Sequence, residues 1–261
     1  MKQFDARNLS MMFDLYEMTM ANGYFEDKKR DRDDYVSFDV FYRNNPDGGG
    51  FAIFAGLEQV LDYLENMHFS TEDISYLRSL HVFSEPFLQW LETYQFRGNV
   101  YAMPEGSVIY PDEPPADGIR PSGGCTAGGN RHPVRNQPPV PDRHQGPADR
   151  EGCPGPGSIR FRCPPGPQHG CGRLRCPGCL YRGADSTATV LAGQMFNIPV
   201  SGTMAHSWVM YYDDEYTAFK RFAEIYPDNA ILLVDTYDVL DSGVPMPLRV
   251  AKKCWNPWAN G

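Results

Sequence analysis

Ile198-Pro-Val-Ser-Gly-Thr-Met-Ala-His-Ser-Trp-Val-Met210 is the stretch whose reading decides the fold. Ile198 to Val200 is a short apolar run that reads as a buried strand. It breaks at Ser201-Gly202-Thr203 and delivers one histidine, His206, before an aromatic run begins. A strand ending in glycine and small hydroxyl residues is where an α/β fold places ligand chemistry. Glycine lets backbone approach a ligand, the hydroxyls of Ser201 and Thr203 supply hydrogen bonds, and imidazole can act as nucleophile or base near neutral pH. A lone histidine at a strand exit is also a common structural residue. These residues alone nominate a site without defining its chemistry.

Downstream, residues 214–226 are expected to form an amphipathic helix. Ala230-Ile-Leu-Leu-Val234 is a continuous apolar run of the kind found in parallel strands buried on both faces, and it ends in Asp235-Thr-Tyr-Asp238. Asp235 and Asp238 thus put two carboxylates, with a hydroxyl between them, at the end of that run. Just upstream, Asp185 and Ser186 are candidate N-caps for a helix through Leu191. Alternating strands and helices indicate an α/β fold of βα units, either a barrel or an open parallel sheet.

The N-terminal part reads as a further α/β unit. Met12, Phe13, Tyr16 and Met20 lie at helical spacing, which predicts a helix over 8–23 with Gly23 as its stop. Residues 35–42 alternate as a strand does, and 43–50 form a glycine-containing loop without the lysine and hydroxyl of a nucleotide-binding loop. Helices are expected at 57–64, at 71–80 after Ser70 and at 86–94 after Ser84. Strands follow at 98–103 and 107–110, joined by the turn Pro104-Glu105-Gly106.

The chain has 261 residues and a formal charge of -9, which argues against nucleic acid as a main partner. No apolar run approaches the roughly 20 residues of a membrane helix, and the N-terminus lacks the apolar core of a signal peptide. A soluble cytoplasmic protein is expected. The average composition conceals a break. Residues 114–182 hold 14 of the 23 prolines, 6 of the 7 cysteines, ten arginines against four acids, and no lysine. Three regions result: an N-terminal α/β domain over 1–113, an anomalous segment over 114–182, expected to be disordered, and a partial α/β barrel over 183–261 that carries the site.

Taken together, Phe13-Asp-Leu-Tyr-Glu-Met-Thr-Met-Ala-Asn-Gly-Tyr24, Phe38-Asp-Val-Phe-Tyr-Arg-Asn-Asn-Pro46, Gly48-Gly-Gly-Phe-Ala-Ile-Phe-Ala-Gly-Leu-Glu58, Gly202-Thr-Met-Ala-His-Ser207 and Leu232-Leu-Val-Asp-Thr-Tyr-Asp238 resemble the nicotinate phosphoribosyltransferase family. The resemblance covers roughly 8–113 and 183–253. It implies an incomplete (β/α) barrel of the type II phosphoribosyltransferase kind and transfer of a phosphoribosyl group from phosphoribosyl pyrophosphate to nicotinate, giving nicotinate mononucleotide. It also implies ATP hydrolysis coupled through transient phosphorylation of a histidine, at the position of His206, with Mg²⁺ offsetting phosphate charge. Tyr16 and Thr203, with Gly202, match residues that hold nicotinate, and Asp235 matches an acidic position near the phosphoribosyl pyrophosphate and Mg²⁺ site. The family is commonly a homodimer. A nicotinamide- or quinolinate-type relative would share the architecture.

The segment 114–182 departs from the family. Cys163, Cys171 and Cys176-Pro-Gly-Cys179, with His169, suggest zinc, and a zinc-binding interaction module is the alternative of a different class. A shift of reading frame accounts for more. Codons for Ile159-Arg-Phe-Arg-Cys-Pro-Pro-Gly166, moved by one base, are compatible with the family-like text Phe-Asp-Phe-Gly-Ala-Arg-Arg-Ala. The family carries an Arg-Arg pair here, suited to carboxylate and phosphates, which this chain lacks. After Cys254 the chain stops at Gly261, before the family's Arg-Leu-Asp-Ser-Gly-Asp element. On these grounds the expectation is a poorly soluble fragment, inactive in forming nicotinate mononucleotide. The frame reading is checked on the nucleotide sequence: a single-base shift is expected to open a family-like frame across 115–182 that closes before Gly183, and the absence of any such frame would refute it.

Overall fold

The N-terminal helices begin where their capping chemistry predicts. Ser70 and Asp73 form a reciprocal capping box at the start of α3 (Thr71–Ser79), and the Ser84 side chain accepts from Phe87 N at the start of α4 (Glu85–Glu92). The helix before them, α2 (Leu57–Glu65), is capped from a distance. The Glu105 carboxylate accepts from Gly56 N at 2.6 Å and Leu57 N at 2.9 Å, so the turn 104–106 is tied to that helix start. The structure, a computed structural model, describes residues 8–27, 38–40, 45, 49–112, 116–121, 159–160 and 186–254. The predicted strand over 35–42 and loop over 43–50 lie largely outside these.

The first helix differs from its prediction at both ends. It runs Leu15–Glu26 as α1. Residues 11–14 are instead engaged by the segment around 188–191: Leu15 N donates to Ala188 O at 2.8 Å, Val190 N to Phe13 O and Leu191 N to Met11 O. Backbone groups satisfied by another segment are not available for an intrahelical ladder. Gly23 does not stop the helix but lies inside it. A Cβ there would meet the Trp208 ring at 2.7 Å, so the bare glycine surface is what admits the indole.

Three two-stranded sheets are present among the described residues. β1 (Ala52–Ile53) pairs antiparallel with β3 (Val108–Ile109), and β2 (Gly98–Ala102) pairs antiparallel with β4 (Ala116–Pro121). The strands on either side of the 104–106 turn therefore find different partners. β5 (Ile159–Arg160) pairs parallel with β6 (Ser186–Thr187), and Thr187 forms a parallel bridge onward to Val200. The buried strand expected over 198–200 is reduced to this one bridge at Val200, with Ile198 buried and Pro199 exposed. Within 114–182 the described residues are those of β4 and β5. The cysteines and His169 of the zinc reading lie outside them.

The C-terminal part departs from the expected elements at two points. Ser186 is in β6 rather than capping a helix, and α5 (Val190–Phe196) starts after Thr189, because 186–189 are drawn into pairing on both sides. The run Ala230–Val234 is not a strand among the described residues. It lacks a strand neighbour there, and Ala230, Leu232 and Leu233 pack as side chains against the second core. The helix predicted over 214–226 is α7 (Glu215–Ile225), capped by Asp214. The hydrogen bonds from Thr217, side chain first, hold the Asp214 carboxyl below its ordinary range.

Two apolar cores result. One joins α1 through Met18 to α2, α3, α4 and Val190, and the other joins α1 through Met20 to α6 (His206–Tyr211), α7 and Val250 of α8 (Pro245–Cys254). Tyr226 locks the second to α1: its hydroxyl donates to Thr19 O at 2.7 Å and accepts from Asn22 Nδ2 at 2.7 Å. Tyr226→Phe is expected to destabilise the protein by about 1–3 kcal/mol, because it leaves a buried carbonyl and amide without that partner. Ser70→Ala should cost about 1 kcal/mol through loss of the cap. Urea unfolding checks both, and a wild-type midpoint in Tyr226→Phe would contradict the lock.

Candidate active site

The loop between Val200 and α6 is laid along one face of α1. Ser201 N donates to Thr187 O at 3.0 Å, fixing the loop's exit from the parallel pairing. Gly202 then passes so close to the start of α1 that a Cβ would meet Tyr16 N at 2.9 Å and Leu15 Cβ at 3.3 Å. Met204 is buried, and Ala205 N contacts Met20 Sδ at 3.1 Å. Tyr16 and Met20 are one turn apart on the same helix face. The loop is thereby pinned at Tyr16 and again at Met20, with Thr203 between.

His206 opens α6 and is exposed, while the rest of that helix is held firmly. Trp208 is fully buried, its indole N–H donates to Ala218 O at 2.9 Å, and its ring stacks on Tyr24 with centroids 4.9 Å apart. Tyr212, just past the helix, donates to the buried Asp27 carboxylate at 2.8 Å. Burial, and then that carboxylate, push the Tyr212 phenol upward from its usual range. Arg221 approaches the other Asp27 oxygen at 3.9 Å. A rigid mount with a solvent-facing imidazole at its free end suits a group that must be reached by a reactant.

The structure brings Tyr16 to Gly202 and sets Thr203 and His206 on the same loop. Thr203 Oγ1 donates to Met204 O at 3.0 Å. Asp235 is exposed, but the group that reaches His206 is its neighbour: Thr236 Oγ1 lies 3.2 Å from His206 Nδ1. The sequence showed Thr236 only as the hydroxyl between two carboxylates. The signal available for it was its position two residues beyond Val234, just past the end of the apolar run. Asp238 is a cap, accepting from Leu240 N and Asp241 N at the start of a single π-turn, Val239–Gly243.

The fold belongs to a known class. Solved nicotinate phosphoribosyltransferases share it: that of Porphyromonas gingivalis superposes with a TM-score of 0.56 at 14% identity, covering 92% of this chain and 65% of the other. That of Vibrio cholerae gives a TM-score of 0.54 at 16% identity, covering 85% and 59%. The class is the type II phosphoribosyltransferase fold.

Sequence similarity narrows this to a family. Residues 11–117 match the nicotinate phosphoribosyltransferase (NAPRTase) N-terminal domain. Nicotinate phosphoribosyltransferase pncB2 of Mycobacterium tuberculosis is 36% identical over 251 residues, covering 95% of this chain and 52% of the relative. The Bacillus subtilis nicotinate phosphoribosyltransferase is 36% identical over 253 residues, covering 96% and 50%. The chain belongs to the nicotinate phosphoribosyltransferase family. It spans about half the length of the curated relatives it matches.

The contact of Gly202 with α1 is testable. Gly202→Ala adds a methyl where Tyr16 N and Leu15 leave no room, and overpacking of this kind is expected to cost about 1–3 kcal/mol. Guanidinium unfolding measures it, and an unchanged midpoint would refute the close approach.

Proposed function

We propose that this chain carries the nicotinate-handling and phosphoryl-handling part of a nicotinate phosphoribosyltransferase site, in the service of NAD biosynthesis. The reaction joins the ring nitrogen of nicotinate to the anomeric carbon of phosphoribosyl pyrophosphate and releases pyrophosphate. ATP is spent through His206, which accepts the γ-phosphoryl group and yields it to water. The observation that carries this reading is the loop Gly202–His206 laid along the Tyr16–Met20 face of α1, with His206 exposed at its end. Tyr16 offers a ring against which the flat nicotinate packs, and Thr203 offers a hydroxyl to it.

The residues fit Mg²⁺ only in company with a nucleotide. No group of three or more His, Cys, Asp or Glu side chains that could hold a metal ion is present among the described residues. Mg²⁺ is ordinarily held by one or two carboxylates and by substrate phosphates, and the exposed Asp235 can supply one such carboxylate. When bound, the ion offsets the phosphate charge that opposes attack on the γ-phosphorus. No helix among the described residues is long and apolar enough to cross a membrane. We infer a cytoplasmic location from that and from the composition, with small molecules rather than nucleic acid as partners.

Incubation of the purified chain with γ-labelled ATP and Mg²⁺ tests the reading. The expected product is an acid-labile, alkali-stable phosphoryl label on the protein, reduced at least tenfold in His206→Asn. A label that persists in His206→Asn, or none in the wild-type chain, would sink the assignment.

A further inference from the structure

The ring of His206 is exposed, and exposure alone would leave an imidazole free to rotate between rotamers. A chain segment from elsewhere in the fold prevents this. The run 230–236 returns beside α6 and sets Thr236 Oγ1 3.2 Å from Nδ1, a contact between residues 30 apart in sequence. Ala230, Leu232 and Leu233 pack into the same core as Trp208 and Val209, so the segment bearing Thr236 and the helix bearing His206 share a foundation. Just beyond, the 239–243 turn closes on itself, with Gly243 N donating to Asp238 O at 2.7 Å and Asp238 capping its start.

We propose that Thr236 is a positioning residue for His206, its hydroxyl holding the imidazole in one orientation through the phosphoryl-transfer cycle. The proposal rests on the reading of His206 as phosphoryl acceptor. In that cycle a ring nitrogen forms a bond to the γ-phosphorus, the bond from phosphorus to the ADP oxygen breaks, and the ring proton passes to water, which reaches the exposed side chain. The protonation of the ring therefore changes during turnover. A hydroxyl suits this, since it accepts from an Nδ1–H and donates to a bare Nδ1. A carboxylate only accepts, and would favour the cationic ring, which is not a nucleophile. The hydroxyl of Thr236, rather than the carboxylate of Asp235, is the group the fold brings to Nδ1.

The test uses the full chain with Thr236→Val, which removes the hydroxyl and keeps the shape, and Thr236→Ser, which keeps the hydroxyl. The nitrogen NMR resonance of His206 Nδ1, assigned by its absence in His206→Asn, reads the contact without any ligand. It is expected to move in Thr236→Val, to stay near the wild-type position in Thr236→Ser, and to stay in Asp235→Asn. Labelling from γ-labelled ATP should fall about tenfold in Thr236→Val, the worth of one well-placed hydrogen bond, and recover to within about twofold of wild type in Thr236→Ser. An Nδ1 resonance indifferent to Thr236→Val, or a serine variant no faster than the valine one, overturns the proposal. If the wild-type chain takes no label while the resonance still moves, it is the phosphoryl-acceptor reading that fails and the ring contact that stands.

Discussion

Helix α1 is buried on nearly every side, and the polar groups it carries must be satisfied by the elements that enclose it. Leu15, Met18, Thr19, Met20, Ala21, Asn22 and Gly23 are all buried. An orphaned polar group at such depth costs about as much as a whole hydrogen bond, so partners are compulsory. Asn22 donates to Tyr226, just past the end of α7, and accepts from the backbone of Ser84, and Ser84 in turn bonds Glu26. Through one asparagine, the start of α4 and the end of α7 are both referred to the same point on α1. The two cores cannot shift independently without breaking that arrangement.

The site inherits its geometry from this constraint. The loop 201–205 finds its path because α1 offers it a backbone surface at Leu15 and Tyr16 and a thioether at Met20. Gly202 is needed for the first of these contacts. Trp208 is needed to keep α6 against α1, filling the space that Gly23 leaves. Glycines on two segments far apart in sequence thus serve one purpose, which is to bring the Tyr16 turn and the His206 helix together. Changes at either would be felt at the histidine even though neither residue has chemistry of its own.

What could be read from the chain beforehand divides along physical lines. Local chemistry was legible: Ser70 and Ser84 cap helices where expected, because a cap is decided within three or four residues. Long-range pairing was not. Nothing near Met11–Asp14 announces that its amides and carbonyls are taken by 188–191, and the apolar spacing there mimicked a helix. Ala230–Val234 has the composition of a buried strand, yet composition cannot supply the neighbouring strand that pairing needs. The site was legible in part, as glycine, hydroxyl and histidine in one short stretch. Tyr16 joined it only through the order of motifs along the chain, and Thr236 only through the fold.

The placement of charge in the second core explains how a short helix can present a reactive residue without giving way. Six residues of α6 make too few backbone bonds to hold themselves, so tertiary contacts must do so. Those contacts are concentrated away from His206. Trp208 is enclosed by Tyr24, Tyr212 and Phe222, and Tyr212 reaches a buried carboxylate, Asp27, that Arg221 of α7 also approaches. Asp27 sits just past the end of α1, so the far end of α6, the C-terminal end of α1 and the middle of α7 are tied at one buried charge. A buried carboxylate is expensive unless its partners are in place, which makes this tie strict as well as strong. Among the described residues, the reactive end is held by one hydrogen bond, shared with the Thr236 hydroxyl. Firm support at one end and a light restraint at the other is the arrangement that lets a side chain be oriented and still be reached.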